Sequence, residues 1–155
     1  MRVLGIDPGF GRLGVAVIEG DRGHARVLMH DCIETSPKLS FLERLLILHS
    51  AVAQIIDTYQ PNCMGLEKLF FFKNQKTAMD VAHVRGMLMA SAGIKKIPIR
   101  EFTPLQVKQT LAGYGRADKR QIQKMIQMVF KLKEAPKLDD AADALAIAWC
   151  ALQWK

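Results

Sequence analysis

Residues 2–18, RVLGIDPGFGRLGVAVI, contain two apolar runs on either side of the turn segment PGFGR. Short apolar runs bounded by Gly and Pro are typical of β-strands, so we predict strands at 2–7 and 13–19. A third apolar run at 26–34 extends the pattern into an antiparallel meander. Asp7 closes the first run, and a carboxylate in an apolar strand is costly unless it binds a cation or hydrogen-bond donors. Asp7 is therefore the first candidate site residue, although D-P-G is also an ordinary turn signal.

The rest of the chain alternates helical periodicity with short apolar runs. Ser40 and Glu43 form a capping box ahead of a helical stripe that ends at Pro61. Further predicted elements are strands at 63–67 and 97–100 and helices near 77–93, from 103, near 118–131 and after 136. The sequence thus predicts an α/β fold, in which a five-stranded mixed sheet, an antiparallel meander plus two parallel strands, is flanked by helices. We expect a single domain over residues 1–155.

Composition and the N-terminal sequence argue against several classes of protein. No stretch approaches the ~18 continuous apolar residues of a membrane span, and MRVLGIDPGF opens into a strand pattern instead of a signal peptide. The three cysteines are far apart and lack a C-x-x-C pair, which argues against a disulfide framework or a zinc site. We expect a soluble, cytoplasmic protein with reduced thiols and no membrane partner.

The charge of the chain is unevenly distributed. The formal net charge is +7, but residues 68–137 hold fifteen Lys and Arg against four Asp and Glu. A positive surface beside acidic residues that bind metal ions is typical of a protein whose substrate is a nucleic acid. A basic face that serves only solubility is the alternative that the charge pattern leaves open.

Three further acidic residues accompany Asp7. Glu67 closes another short apolar run, and Asp140 and Asp143 lie three residues apart in LDDAADALAIAWC. Residues at i and i+3 project from one face of a helix, so both carboxylates can reach one ion or two neighbouring ions. Each acidic residue alone has a structural explanation, such as capping of the helix by Asp139 or its neighbours. Together the four carboxylates predict a site for Mg²⁺, which prefers oxygen ligands.

Such a site supports hydrolysis of a phosphodiester. Two divalent ions roughly 3.5–4 Å apart activate a water and stabilise the leaving oxygen. We expect two Mg²⁺ ions per site, with Mn²⁺ as an alternative. Lys119 and Lys108 are candidates to stabilise the charge that develops on the phosphate, and a plain solvated lysine is the alternative for each. We also expect Arg116, in the segment AGYGRA, to contact DNA.

Two apolar features of the basic segment are not explained by the core of a monomer. Phe70, Phe71 and Phe72 are consecutive, so they cannot all face inward, and an exposed ring beside the DNA-contact candidate Lys73 can stack on unpaired bases. Core packing plus a dimer contact is the alternative, and the sequence does not distinguish among the three rings. The helix at 77–92 has little polar face, so it is either wholly buried or part of a subunit interface.

Four segments in order along nearly the whole chain resemble the RuvC family of Holliday-junction resolvases. They are GIDPG (5–9), the strand-ending Glu67, QVKQTLAGYGRADK (106–119) and DAADALAIA (140–148). The resemblance implies an RNase H-like fold and a homodimer that binds four-way junction DNA. It also implies Mg²⁺-dependent, symmetric nicks in DNA recombination and repair.

The same resemblance implies roles for individual residues. Catalytic metal ligands are implied at Asp7, Glu67, Asp140 and Asp143. Lys108 and Lys119 would contact DNA or stabilise charge, and Phe70 would be the loop aromatic near the centre of the junction. The helix at 77–92 would form the dimer interface. A contact with a branch-migration helicase is implied in the same way.

Three other functions compete with this interpretation. A strand Asp followed by a Gly-rich turn also opens actin-like ATPases, but those proteins need two such lobes to enclose ATP and 155 residues provide one. The second competitor is a different RNase H-like nuclease that acts on RNA or damaged DNA. The third is a non-catalytic module that binds DNA junctions, and the presence of all four acidic residues argues against it.

Overall fold

The computed structural model describes residues 1–68 and 75–154. The strands of the described chain are Arg2–Asp7 (β1), Arg12–Gly20 (β2), Ala25–Glu34 (β3), Cys63–Glu67 (β4) and Ile99–Phe102 (β5). They form one sheet in the order β3-β2-β1-β4-β5. The β1–β2 and β2–β3 pairs are antiparallel, whereas β1–β4 and β4–β5 are parallel. The predicted antiparallel meander plus two parallel strands is therefore confirmed.

Helices follow the strands along the described chain. They are Phe41–Tyr59 (α1), Gln75–Ile94 (α2), Pro104–Ala112 (α3), Lys119–Val129 (α4) and Asp139–Gln153 (α5). Ser40, Thr103 and Asp118 each form a capping box, which satisfies backbone N–H groups that have no partner within the helix and fixes where α1, α3 and α4 begin. Among the residues that the structure describes, no helix is long and apolar enough to cross a membrane.

The sheet separates two apolar layers. Side chains alternate across a strand, so Val3 of β1 faces the layer that α5 contributes to, and Leu4 and Ile6 face the layer formed with α1 and α2. On the second side, Leu48 of α1 and Leu88 of α2 are fully buried. The chain thus buries both faces of its central strands, which explains why β1 reads as an almost continuous apolar run.

The helix α5 packs directly on the sheet because glycines remove the side chains that would block it. A Cβ atom at Gly5 would lie 2.2 Å from the backbone oxygen of Ala144, and one at Gly14 would lie 2.0 Å from the backbone oxygen of Asp140. Gly65 of β4 is also in close contact with α5. Glycine within a strand permits such close approach of another backbone. These contacts hold the start of α5 against β1 and β2.

The last strand lies two residues later than predicted. The predicted span 97–100 is wrong, because pairing begins at Ile99. The N–H of Ile97 instead donates to the carbonyl of Ala92 (2.9 Å) and closes the end of α2. Pro98 has no N–H to contribute to a sheet.

The helix α2 is only partly buried. It already includes Gln75, so Thr77 does not open it as predicted. Val84 is fully buried, whereas Met79 is 63% and Met89 41% exposed. The alternative of a wholly buried helix is therefore wrong, and the subunit interface stays a prediction.

Candidate active site

Asp7 and Glu67 lie at the carboxyl ends of two adjacent parallel strands. The strands β1 and β4 pair in parallel up to the residue before each acidic residue, so both leave the sheet at the same edge. Their side chains share the face of Gly5 and Gly65, which is the face covered by α5. The side chains of Asp7 and Glu67 form a hydrogen bond. The fold thus joins two segments that are sixty residues apart in sequence.

Asp140 and Asp143 reach the same edge from the start of α5. The close contact at Gly14 holds the backbone of Asp140 against β2. The N-cap residue of α5 is Leu138, and in this fully described helix no side chain makes a capping hydrogen bond. The alternative that Asp139 caps this helix is therefore wrong, whereas acidic residues in its first turn still interact favourably with the helix dipole.

The negative charges of the site converge on Asp7. Burial first, and then the charges of Glu67, Asp143 and Asp140, raise the pKa of Asp7 to about 8. Burial also raises the pKa of Asp143 to about 6, opposed chiefly by the ammonium of Lys119. We refer to Asp7, Glu67, Asp140 and Asp143 as the carboxylate cluster. Ionising all of its members together is unfavourable unless a cation lies among them.

Two acidic residues at the start of α5 already pair with cations. The Nε atom of Arg12 lies 3.4 Å from Oδ2 of Asp140, and the thiol of Cys32 lies 3.9 Å from the same oxygen. Asp139 instead faces α4, where the Nζ atom of Lys119 lies 2.7 Å from its Oδ2. Arg12 was not predicted from the sequence, and its signal is a basic residue directly after the turn that follows Asp7.

A cavity of about 320 Å³ opens beside the carboxylate cluster. Glu67 and Asp143 contribute to its wall, together with Lys108 of α3 and Lys119 of α4. We refer to Lys108 and Lys119 as the lysine pair. The structure therefore brings both lysines next to carboxylates of the cluster, and their contact with a phosphate stays a prediction. A phosphate entering this cavity would meet two ammonium groups and the acidic edge of the sheet.

The chemistry of the cluster fits a hard divalent cation. Four carboxylates offer only oxygen ligands, which suit Mg²⁺ or Mn²⁺ and not a thiolate-dependent zinc site. Within residues 1–68 and 75–154, no three Asp, Glu, His or Cys side chains are already grouped closely enough to hold an ion. Like charges repel, and Asp140 is turned towards Arg12, so a bound ion would have to draw the carboxylates together. The metal centre stays a prediction.

The remaining predicted DNA contacts are Phe70, Lys73 and Arg116. Phe70 and Lys73, like Phe71 and Phe72, lie outside the described residues. Arg116 is exposed between α3 and α4 and does not line the cavity. The sequence reading missed how glycines in β1 and β2 bring α5 onto the sheet. The available signal was glycine in the middle of otherwise apolar strands.

Comparisons with known proteins assign a family to the chain. Residues 3–151 match the family model described as Crossover junction endodeoxyribonuclease RuvC. A crossover junction endodeoxyribonuclease RuvC from Desulforamulus reducens is 46% identical over 99% of this chain and 94% of its own length. The protein of the same name from Caldicellulosiruptor saccharolyticus is 48% identical over 97% of this chain and 91% of its own.

A solved structure gives the same assignment. T. thermophilus RuvC in complex with Holliday junction substrate superposes with a TM-score of 0.92 at 35% identity, covering 97% of this chain and 92% of the other. The sheet order, the flanking helices and the acidic edge define an RNase H-like nuclease. The chain belongs to the RuvC family of crossover junction endodeoxyribonucleases. It is an enzyme that hydrolyses phosphodiester bonds, which excludes the actin-like ATPase lobe and the non-catalytic module.

Proposed function

We propose that this chain resolves four-way (Holliday) DNA junctions by paired, symmetric, metal-dependent cuts in recombination and repair. The observation that carries the proposal is the convergence of the carboxylate cluster at one edge of the sheet, beside the cavity lined by the lysine pair. The similarity to T. thermophilus RuvC, solved in complex with Holliday junction substrate, supports the choice of DNA substrate. We further propose that residues 1–155 act as one nuclease domain.

The proposed metal ligands are the four members of the carboxylate cluster. Nucleases of this family depend on a metal, and we propose Mg²⁺, two ions per site, with Mn²⁺ as a substitute. Bound divalent ions supply Lewis acidity, which makes water a nucleophile near neutral pH and stabilises a leaving oxygen. Binding of the metal has to compete with the contact between Arg12 and Asp140. That contact neutralises part of the acidic edge when no ion is bound.

The residues of the chain have separate tasks in this proposal. The carboxylate cluster would bind and orient the divalent ions. Its burial strengthens its electrostatic interactions with them. Lys108 approaches from α3 and Lys119 from α4, so the two ammonium groups can flank a scissile phosphate and offset its developing charge. Asp139 holds Lys119 at the entrance through a 2.7 Å ion pair. Arg116, Lys73 and Phe70 are proposed as further contacts to DNA.

A junction has two strands to be cut, so the proposal includes a homodimer with two equivalent sites. Its interface would be formed by residues 77–92, which lie within α2, together with α1. Exposed apolar side chains on these two helices are Phe41, Leu42, Leu46, Ile47, Met79, Met89 and Ile94. Exposed apolar side chains on two neighbouring helices favour a second copy as the partner. Contact with a branch-migration helicase stays a proposal from family resemblance.

A cleavage assay tests the proposal. Labelled four-way junction, linear duplex, flap and RNA–DNA hybrid are incubated with Mg²⁺, Mn²⁺ or a chelator. We expect paired nicks in the junction with either metal and no cleavage with the chelator. Preferred cleavage of the hybrid would favour the alternative of another RNase H-like nuclease, and metal-independent cleavage would remove the proposed centre.

A further inference from the structure

Arg85 is a nearly buried cation in the middle of α2. Its side chain is only 11% exposed. The Nη1 atom donates to the backbone carbonyl of Glu67, and the Nη2 atom pairs with the carboxylate of Glu101. A buried guanidinium is costly unless it is paired, so these two contacts determine where the side chain lies.

The two partners of Arg85 belong to neighbouring strands. Glu101 of β5 stands beside Leu66, the residue before Glu67 in β4. Side chains alternate across each strand, so Glu101 points towards the layer of α2, as does Ile99. The carboxylate of Glu67 points to the opposite face and lines the cavity. Arg85 therefore holds the backbone of Glu67 from behind the active site.

Glu67 is a position at which such support matters. It is the last residue of β4, and the final bond of the β4–β5 pairing runs from the N–H of Lys68 to the carbonyl of Phe102 (2.8 Å). At the end of a strand the peptide has fewer partners to fix it than in the interior. The orientation of the peptide at Glu67 decides where its carboxylate sits relative to Asp7.

We propose that Arg85 is a positioning residue for metal binding. It fixes the peptide of Glu67, with Glu101 holding the guanidinium in place, and thereby aims the Glu67 carboxylate at the divalent ion. The inference rests on the proposed role of the carboxylate cluster as a metal centre. Groups that orient metal ligands in this way typically change metal affinity or activity 10–100-fold when they are replaced.

The test uses Arg85→Lys and Glu101→Gln. Lysine keeps the charge but lacks the planar fork needed to reach both partners. Glu101→Gln keeps the shape of the partner and weakens its interaction with the guanidinium. This variant tests the inference if Arg85→Lys does not fold. The matched control is Lys95→Met, which removes an exposed ion pair between the residue after α2 and Asp57 of α1 (2.6 Å) without touching β4.

Three quantities are measured for each variant. They are the Mg²⁺ concentration that gives half of the maximal single-turnover cleavage rate, the Kd for junction DNA in chelator, and the rise in Tm caused by Mg²⁺ without DNA. For Arg85→Lys we expect roughly a tenfold higher half-saturating Mg²⁺ concentration and a smaller rise in Tm. The junction Kd should stay within about twofold of the wild type. Glu101→Gln should shift in the same direction by less, and Lys95→Met should match the wild type.

Unchanged Mg²⁺ dependence in both variants would overturn the role of Arg85. The same conclusion follows if cleavage falls only in proportion to DNA binding. Failure of the proposed function has a different signature, because the wild type would then leave the junction uncut. The Mg²⁺-induced rise in Tm still decides the inference in that case: an equal rise in Arg85→Lys, or no rise in the wild type, would contradict it.

Discussion

At the scale of single residues, the charge of Asp7 links stability to function. Its ordinary pKa of 3.8 is raised to about 8 by burial and by the other members of the carboxylate cluster. Without metal, the folded protein therefore favours the protonated form of Asp7, whereas a metal ligand has to be ionised. A cation bound among the carboxylates removes this conflict, so the site is expected to be a source of instability without metal and of stability with it.

Replacement of Asp7 by Asn should stabilise the metal-free protein at pH 8. Below pH 3.8 the aspartate is protonated in both states and costs nothing, whereas between 3.8 and about 8 the unfolded chain releases a proton that the folded chain retains, so stability falls as pH rises. Asp7→Asn should thus gain stability that grows with pH, by at most about 6 kcal/mol at pH 8 for this shift at roughly 1.4 kcal/mol per pKa unit, and by almost nothing near pH 4. Thermal melts in chelator across this range measure the effect.

The control for this prediction is Asp21→Asn. Hydrogen bonds from the backbone N–H groups of Gly23 and His24 lower the pKa of Asp21, so its removal should not stabilise the protein as pH rises. Equal Tm values for wild type and Asp7→Asn at pH 8 would show that the carboxylate cluster does not destabilise the metal-free protein.

Replacing Lys119, which lines the cavity, should lower the cleavage rate more than it weakens DNA binding. Lys119→Met removes an ammonium beside Asp143, and we expect a loss of roughly a hundredfold in the single-turnover cleavage rate at saturating DNA. Lys124→Met, on the exposed side of the same helix, is the control, with little change in rate. Similar rates for the two variants would assign Lys119 to general attraction of DNA.

At the scale of elements, the site depends on how closely α5 approaches the sheet. The first residues of α5 lie against β2 at Gly14, where even a Cβ atom would overlap the backbone of Asp140. Backbone packing between α5 and the sheet therefore determines where the side chains of Asp140 and Asp143 lie relative to Asp7.

Gly14→Ala should displace the start of α5. The added Cβ would lie 2.0 Å from the oxygen of Asp140, so we expect a loss of about 1–3 kcal/mol in the free energy of unfolding and a large loss of cleavage. In Gly86→Ala, on α2, the new Cβ meets nothing within 4 Å, and the helix should gain about 0.4–1 kcal/mol. Chemical denaturation measures both variants, and junction cleavage measures Gly14→Ala. Tolerance of Gly14→Ala would contradict the packing argument.

Much of the fold follows from local signals in the sequence. The boundaries of β1 and β4 and the capping box at Ser40 were predictable because apolar runs, turns and caps act over a few residues. The start of β5 was not, because the N–H of Ile97 is used by the end of α2. The identities of the four acidic candidates were readable, yet the pairing of Asp140 with Arg12 depends on tertiary packing.

At the scale of the whole molecule, the unexplained apolar surface lies on α1 and α2. These helices cover one face of the sheet and still expose methionine and leucine side chains outward. The carboxylate cluster lies towards the α5 face, so a second copy placed on α1 and α2 would leave both acidic edges accessible to DNA. Arg85 of α2 would then lie between the proposed interface and the site.

A charge placed in the proposed interface should separate the copies. Met89→Lys puts an ammonium on the exposed side of α2, and desolvating it should weaken the dimer at least tenfold, equivalent to about 1.4 kcal/mol. Met128→Lys on α4, where the methionine is 71% exposed, is the control and should leave association unchanged. Sedimentation equilibrium measures both. A dimer of equal strength in Met89→Lys would move the interface elsewhere.

The central claim is that carboxylates from β1, β4 and α5 hold divalent ions in one site. Anomalous scattering from Mn²⁺ in crystals of the protein tests it most directly. We predict Mn²⁺ within roughly 2.2 Å of oxygens from Asp7, Glu67 and the acidic residues of α5, with Asp140 turned away from Arg12. The same experiment on Asp7→Asn should lose this density. Mn²⁺ bound away from these residues would contradict the account. So would the absence of Mn²⁺ at saturating concentration, with Asp140 still turned towards Arg12.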